Sequence, residues 1–154
     1  MSEFMQRFAD LRDRKAYAEI VDALPYVKLM GTSMAEDEQG ELRFELPFLQ
    51  RNVGNTTLPA LHGGLIGGFM ESAAMIHLMW NRESLEAPKI VDFSLDYLRP
   101  GRPQTLFAQC EITKQGKRVA HVLIEAWQDD RSKPVAVARA HFLLTNLEHH
   151  HHHH

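Results

Sequence analysis

A single cysteine, Cys110, is all the thiol that the 154-residue chain carries, which fits a reducing compartment. No uninterrupted apolar run reaches the roughly 18 residues that a membrane-crossing helix needs. The nearest candidate surrounds Glu71 and is interrupted by that acid, by His77 and by glycines. No secretory leader precedes the first helical pattern, so the chain is expected in the cytoplasm, off the membrane. Neither sign of charge dominates: 17 Lys and Arg stand against 20 Asp and Glu, with a pI near 6.3. General attraction to nucleic acid or acidic lipid is thereby excluded, and an anionic ligand must be held by local charge. No DNA-binding segment is appended, and there is no internal repeat, low-complexity tract or interdomain linker. No G-x-S-x-G elbow surrounds Ser72, which argues against a serine hydrolase. His121 and His141 can pair across neighbouring strands, but no compact ligand spacing calls for a metal.

Six of the ten histidines fall in a terminal LEHHHHHH, read as an expression tag over 147–154. The remaining residues, about 146, are enough for one compact domain that needs no disulfide or metal to hold its core. Residues 1–24 are polar, with Phe4, Phe8, Leu11, Ala16, Ile20, Val21 and Leu24 at helical spacing. One or two amphipathic helices are expected there, with a change of register near Asp13 and a stop at Pro25. Val27–Met34 and Glu41–Leu46 read as strands around the turn-rich 36–40. After the central helix the period becomes two: Val91, Phe93, Leu95 and Tyr97 alternate with polar residues. Leu106, Ala108, Cys110 and Ile112 do the same, and further strands span 119–127 and 135–145. Short turns predict that these four strands form an antiparallel meander. The whole is α+β, one curved antiparallel sheet wrapped around one long helix.

That helix is the richest stretch: LPALHGGLIGGFMESAAMIHLMW, Leu58–Trp80. A His-Gly-Gly turn opens an almost wholly apolar helix that bears one acid, Glu71. An ionised carboxylate in such a setting costs several kcal/mol unless something pairs with it, which marks Glu71 as functional. Gly63 and Gly64 permit a tight turn whose free N–H groups, together with the helix dipole, suit an oxyanion. Gly67 and Gly68 weaken the helix by roughly 1 kcal/mol each relative to Ala, and read as room for a close neighbour. Met70, Met75 and Met79 fill irregular space, with an adaptable wall around an acyl chain as the alternative.

His62-Gly63-Gly64, the acid at Glu71, Asn55 in the preceding loop and the strand 91–100, VDFSLDYLRP, resemble in their order the hotdog fold, and within it the PaaI-type acyl-CoA thioesterases. The resemblance covers about residues 25–145, making 25–146 the hotdog domain and 1–24 an N-terminal helical extension. It implies hydrolysis of an acyl-CoA thioester to free acid and coenzyme A, with no cofactor beyond the coenzyme A of the substrate. Glu71 would act as nucleophile or general base, the Gly63 amide would polarise the carbonyl, and Asn55 or Asn52 would orient the water or acyl group. His62 would position the turn, and Ser72 or Ser94 would assist. From Gly64 to Glu71 the helix rises about 10 Å, too far for one bound carbonyl. Two-fold related chains with antiparallel helices bring Glu71 of one opposite the turn of the other, so a homodimer is expected, with pairing into tetramers open. Arg99, Arg102, Lys117 and Arg118 are the candidates for the coenzyme A phosphates. A hotdog hydratase or dehydratase and a non-catalytic acyl-CoA sensor are the competing readings, which thiol release separates.

Overall fold

A computed structural model describes residues 2–47, 53–55, 58–61 and 63–145. Two amphipathic helices come first, α1 (Glu3–Asp13) and α2 (Tyr17–Asp22). The Ser2 side chain caps α1 by accepting from the Met5 N–H at 3.2 Å, and Met5, Phe8 and Leu11 bury one stripe of it. The register changes through Lys15, which takes a left-handed φ of 53°.

A third short helix, α3 (Pro25–Met30), occupies part of the segment whose β-branched and apolar residues predict a strand. Pro25 is its first residue, where a missing N–H costs nothing, and Gly31 closes it at φ 77°. Val27 and Met30, three apart, are its buried pair. The strand starts only at β1 (Ser33–Glu36) and turns into β2 (Leu42–Leu46). Asp37 holds that turn by accepting from the N–H groups of Gln39 and Glu41, both at 2.9 Å. Then come β3 (Val53–Asn55), β4 (Leu58–Leu61), the long α4 (Gly63–Asn81) and the strands β5 (Lys89–Tyr97), β6 (Leu106–Gln115), β7 (Val119–Trp127) and β8 (Ala136–Leu143).

Among the described residues the main sheet is six-stranded and antiparallel, in the order β1-β2-β6-β7-β8-β5, and β3 pairs with β4 separately. The expected four-strand meander is therefore only partly formed. β6, β7 and β8 meander, but β5 pairs with β8 and lies at the far edge. The eight residues between Tyr97 and Leu106 cross three strand spacings, about 14 Å, well within an extended chain's reach. Pro100 and Pro103 thus belong to a crossover, not to a hairpin. A register shift between Ile90 and Asp92 also changes the phase of β5, leaving Val91 exposed at 53% while Ile90, Phe93 and Leu95 pack against the core.

The inner face of the sheet is set by alanine. Ala108, Ala126 and Ala136 sit side by side across β6, β7 and β8, and Ala120, Ala138 and Ala140 continue the buried rows. These short side chains let α4 lie close, its Phe69, Met70, Ala73, Ala74 and Met79 all but fully buried. Larger residues at the margins, Phe44, Leu46 and Phe142, close the core. α1 is tied in by the Ser2 N–H donating to the Leu85 carbonyl at 2.7 Å, and Tyr17 of α2 stacks on Trp80 at 5.5 Å. No helix among the described residues is long and apolar enough to cross a membrane.

Candidate active site

α4 has two faces. One is sealed against the sheet. The other carries Gly68, Glu71, Ser72 and Met75, at helical spacing, and looks toward α3 across a cleft of about 370 Å³. The walls on the far side include Tyr26 and Val27. Glu71 is half-buried at this cleft, and among the described residues its carboxylate has neither a hydrogen-bond donor nor an ion-pair partner. Ser72 and Met75 line the same space, whereas Met70 and Met79 are core.

Tyr26 is the residue that sequence reasoning missed. A Cβ built on Gly68 would collide with its hydroxyl and lie 3.1 Å from Cζ, so the Gly68 position keeps the ring against the helix backbone. The only sequence signal was the pair of glycines, which called for a neighbour without naming it. At Gly67 the added atom would meet Leu95 Cδ2 at 3.5 Å, an ordinary contact. Gly67→Ala is accordingly expected to stabilise the protein by up to about 1 kcal/mol, read as a higher urea midpoint at unchanged slope.

Gly63 is the first residue of α4 and Gly64 the second, so both stand on the helix's opening turn. Asn55 ends β3, its Cα paired with that of Leu58. His62 and Asn52 lie outside the described residues, as do 146–154. The structure divides the four basic candidates. Arg99 and Arg102 follow β5, near the end of β7: Arg99 Nη1 donates to the Pro134 carbonyl at 2.7 Å, and Arg102 pairs with Asp129 at 3.6 Å. With Lys133 they line a second cleft of about 350 Å³. Lys117 and Arg118 lie on the β6–β7 hairpin, about 27 Å away along the nine residues of β7. The hairpin is also where α4 ends, since Arg82 donates to the Gly116 and Lys117 carbonyls at 2.7 and 3.3 Å. The α4 N-terminus is consequently at the Arg99 and Arg102 end.

The other titratable groups stand apart from the cleft. His77 is buried at 5% exposure on α4, its Nδ1 without a partner among the described residues, and burial pushes its pKa down to about 4. His121 and His141 are direct cross-strand partners, their rings stacked at 4.0 Å, and His141 Nδ1 lies 3.4 Å from Asp92. Desolvation first, then the His141 charge, lower the His121 pKa. Ser94 is exposed on β5. Cys110 packs half-buried against the core, and burial raises its thiol pKa well above the ordinary value. No cluster of three His, Cys, Asp or Glu able to hold a metal occurs among the described residues.

The family model described as the thioesterase superfamily matches residues 58–135, from the strand before α4 through β7 to the start of β8. The chain belongs to the thioesterase superfamily. Its sheet and helix are the hotdog fold, and its class is that of a thioester hydrolase. A crystal structure of a protein from Chromobacterium violaceum is 94% identical, covering 92% of this chain and 98% of that one at a TM-score of 0.79. A medium/long-chain acyl-CoA thioesterase, YigI of Salmonella typhimurium, is 24% identical over 121 residues, 70% of this chain and 78% of its own. A Bacillus halodurans protein crystallised with CoA is 19% identical at a TM-score of 0.70, covering 95% of this chain and 96% of that one. At that identity it speaks for the hotdog fold alone.

Proposed function

We propose that this thioesterase superfamily member hydrolyses acyl-CoA thioesters to a free acid and coenzyme A, in a site completed by two chains. The observation that carries the reading is the Glu71 carboxylate, half-buried on the wall of an apolar cleft with no partner among the described residues. A carboxylate that no described side chain engages is available to a reacting water. Glu71 takes a proton from water as the oxygen attacks the thioester carbon. The N–H groups at Gly63 and Gly64 of the second chain hold the oxyanion, with His62 fixing the turn and Asn55 or Asn52 orienting the water. Collapse breaks the C–S bond, and the leaving thiolate takes the proton back. Water is the second substrate, and no cofactor enters. Ser72, one residue beyond Glu71 on the same cleft, is an added donor to the acyl carbonyl.

Dimer formation is supported by β5, which ends the sheet among the described residues, and by Val91 and Tyr97 on it and Leu98 just after it, each more than half exposed. The YigI name supports the substrate class. A cytoplasmic location accords with the single thiol. Free thiol released from a panel of acyl-CoAs tests the reading; none from any chain length overturns it.

Arg99 and Arg102 share an end of the fold with the α4 N-terminus and are proposed to meet the coenzyme A phosphates. Lys117 and Arg118 could reach them only from the second chain. Reversing both charges at Arg99 and Arg102 should raise KM for acyl-CoA about tenfold and leave a pantetheine thioester unchanged. Equal effects on the two substrates remove the phosphate contact. The same reversal at Lys117 and Arg118 reports whether the opposite end of a second chain contributes.

A further inference from the structure

The cleft beside Glu71 has a shape and a chemistry that the reaction alone does not require. We infer that the α3–α4 cleft is the acyl-chain site, built for one unbranched, uncharged chain of roughly eight to ten carbons, and that Tyr26 is its specificity-determining wall. This inference rests on the hydrolytic reading of Glu71.

The lining runs along α4 from Gly68 to Ile76, a rise of about 12 Å. Spreading about 370 Å³ over that length leaves a channel roughly one alkyl chain wide. A methylene takes about the volume of one water, near 30 Å³, so the cleft holds about a dozen before allowance for its open mouth. Leu24, Val27, Met75 and Ile76 offer apolar surface, and Glu71 is the only charged residue among the described lining. A second carboxylate on the acyl group would be set against Glu71 in an apolar cleft, and is selected against.

Tyr26 defines the width. Its ring lies on the backbone at Gly68, one turn before Glu71 and Ser72, whose side chains lean back toward the same patch. The residue is 53% exposed, so it closes the cleft from the solvent side and the core does not depend on it. A side chain at position 68 would push the ring off its seat on the helix.

The test compares kcat/KM for unbranched acyl-CoAs from two to sixteen carbons in the parent chain, Tyr26→Ala, Tyr26→Phe and Gly68→Ala. Thermal midpoints verify folding, and calorimetry measures binding of the non-hydrolysable decyl thioether of coenzyme A. In the parent, kcat/KM should climb about threefold per methylene and level off near ten carbons. Tyr26→Phe should keep that profile, Tyr26→Ala should cut the decanoyl-to-acetyl ratio at least tenfold, and Gly68→Ala, which unseats the ring, should lower that ratio too. A parent that hydrolyses acyl-CoA with no preference for length, or a Tyr26→Ala profile matching it, overturns the inference and spares the hydrolytic reading. Thioether binding that is strong and Tyr26-dependent without any turnover does the reverse. Thioether binding no tighter than that of coenzyme A itself removes the acyl site.

Discussion

Glu71→Ala is expected to fold and to associate like the parent while turnover of every acyl-CoA falls at least about a hundredfold, near 3 kcal/mol of barrier. The loss should appear in kcat with KM little changed, because the carboxylate acts on water during bond making and gives the bound thioester little attraction. Folding should survive for a structural reason: among the described residues nothing is bonded to this carboxylate, so its removal orphans no partner. Glu71→Gln keeps the shape and removes the proton acceptor, and should lose as much. Retained activity in either variant would take Glu71 out of the mechanism.

Acid should weaken the fold through His77, by about 3 kcal/mol between pH 6.5 and pH 4. Its folded pKa, about 4, lies below the 6.5 of an unfolded histidine. Above pH 6.5 both states hold the neutral ring and its contribution is complete. As pH falls through that window the unfolded chain gains a proton that the folded chain refuses, so stability is lost. The cause is position: at 5% exposure, and with no partner for Nδ1 and no anion beside it among the described residues, the ring has nothing to offset a charge. Urea midpoints for the parent and His77→Leu across pH 4–7 isolate the effect, since other titrating groups cancel in the comparison. Parallel curves for the two proteins would sink the assignment.

The interior of the sheet was legible in the sequence pattern, as was the presence of one acid on the apolar central helix, while much of the rest was not. Alternation along β6, β7 and β8 reports burial directly, because each side chain's neighbours lie on the adjacent strand. Glu71 stood out because an acid in an apolar helix has few innocent explanations. The position of β5 beside β8 was hidden, since Pro100 to Pro103 break the chain equally well for a hairpin and for a crossover. The helix at α3 was written in Pro25 and Gly31 but outvoted by the apolar run between them. Tyr26 could not be found from spacing, because a cleft between two helices separated by 32 residues belongs to their packing. The division of Arg99 and Arg102 from Lys117 and Arg118 likewise follows from strand order, which charge counts do not encode.

The rows of alanine beneath α4 have an evolutionary corollary. With methyl groups on one side and a wrapped sheet behind them, that side of the helix has no slack, and enlarging any of Ala108, Ala126 or Ala136 would push the whole helix outward. Change in what the enzyme accepts must therefore come from the solvent-side helices. Diversification within the superfamily could then proceed by exchanging a short peripheral segment such as α3, leaving α4 and the acid proposed to act on it untouched.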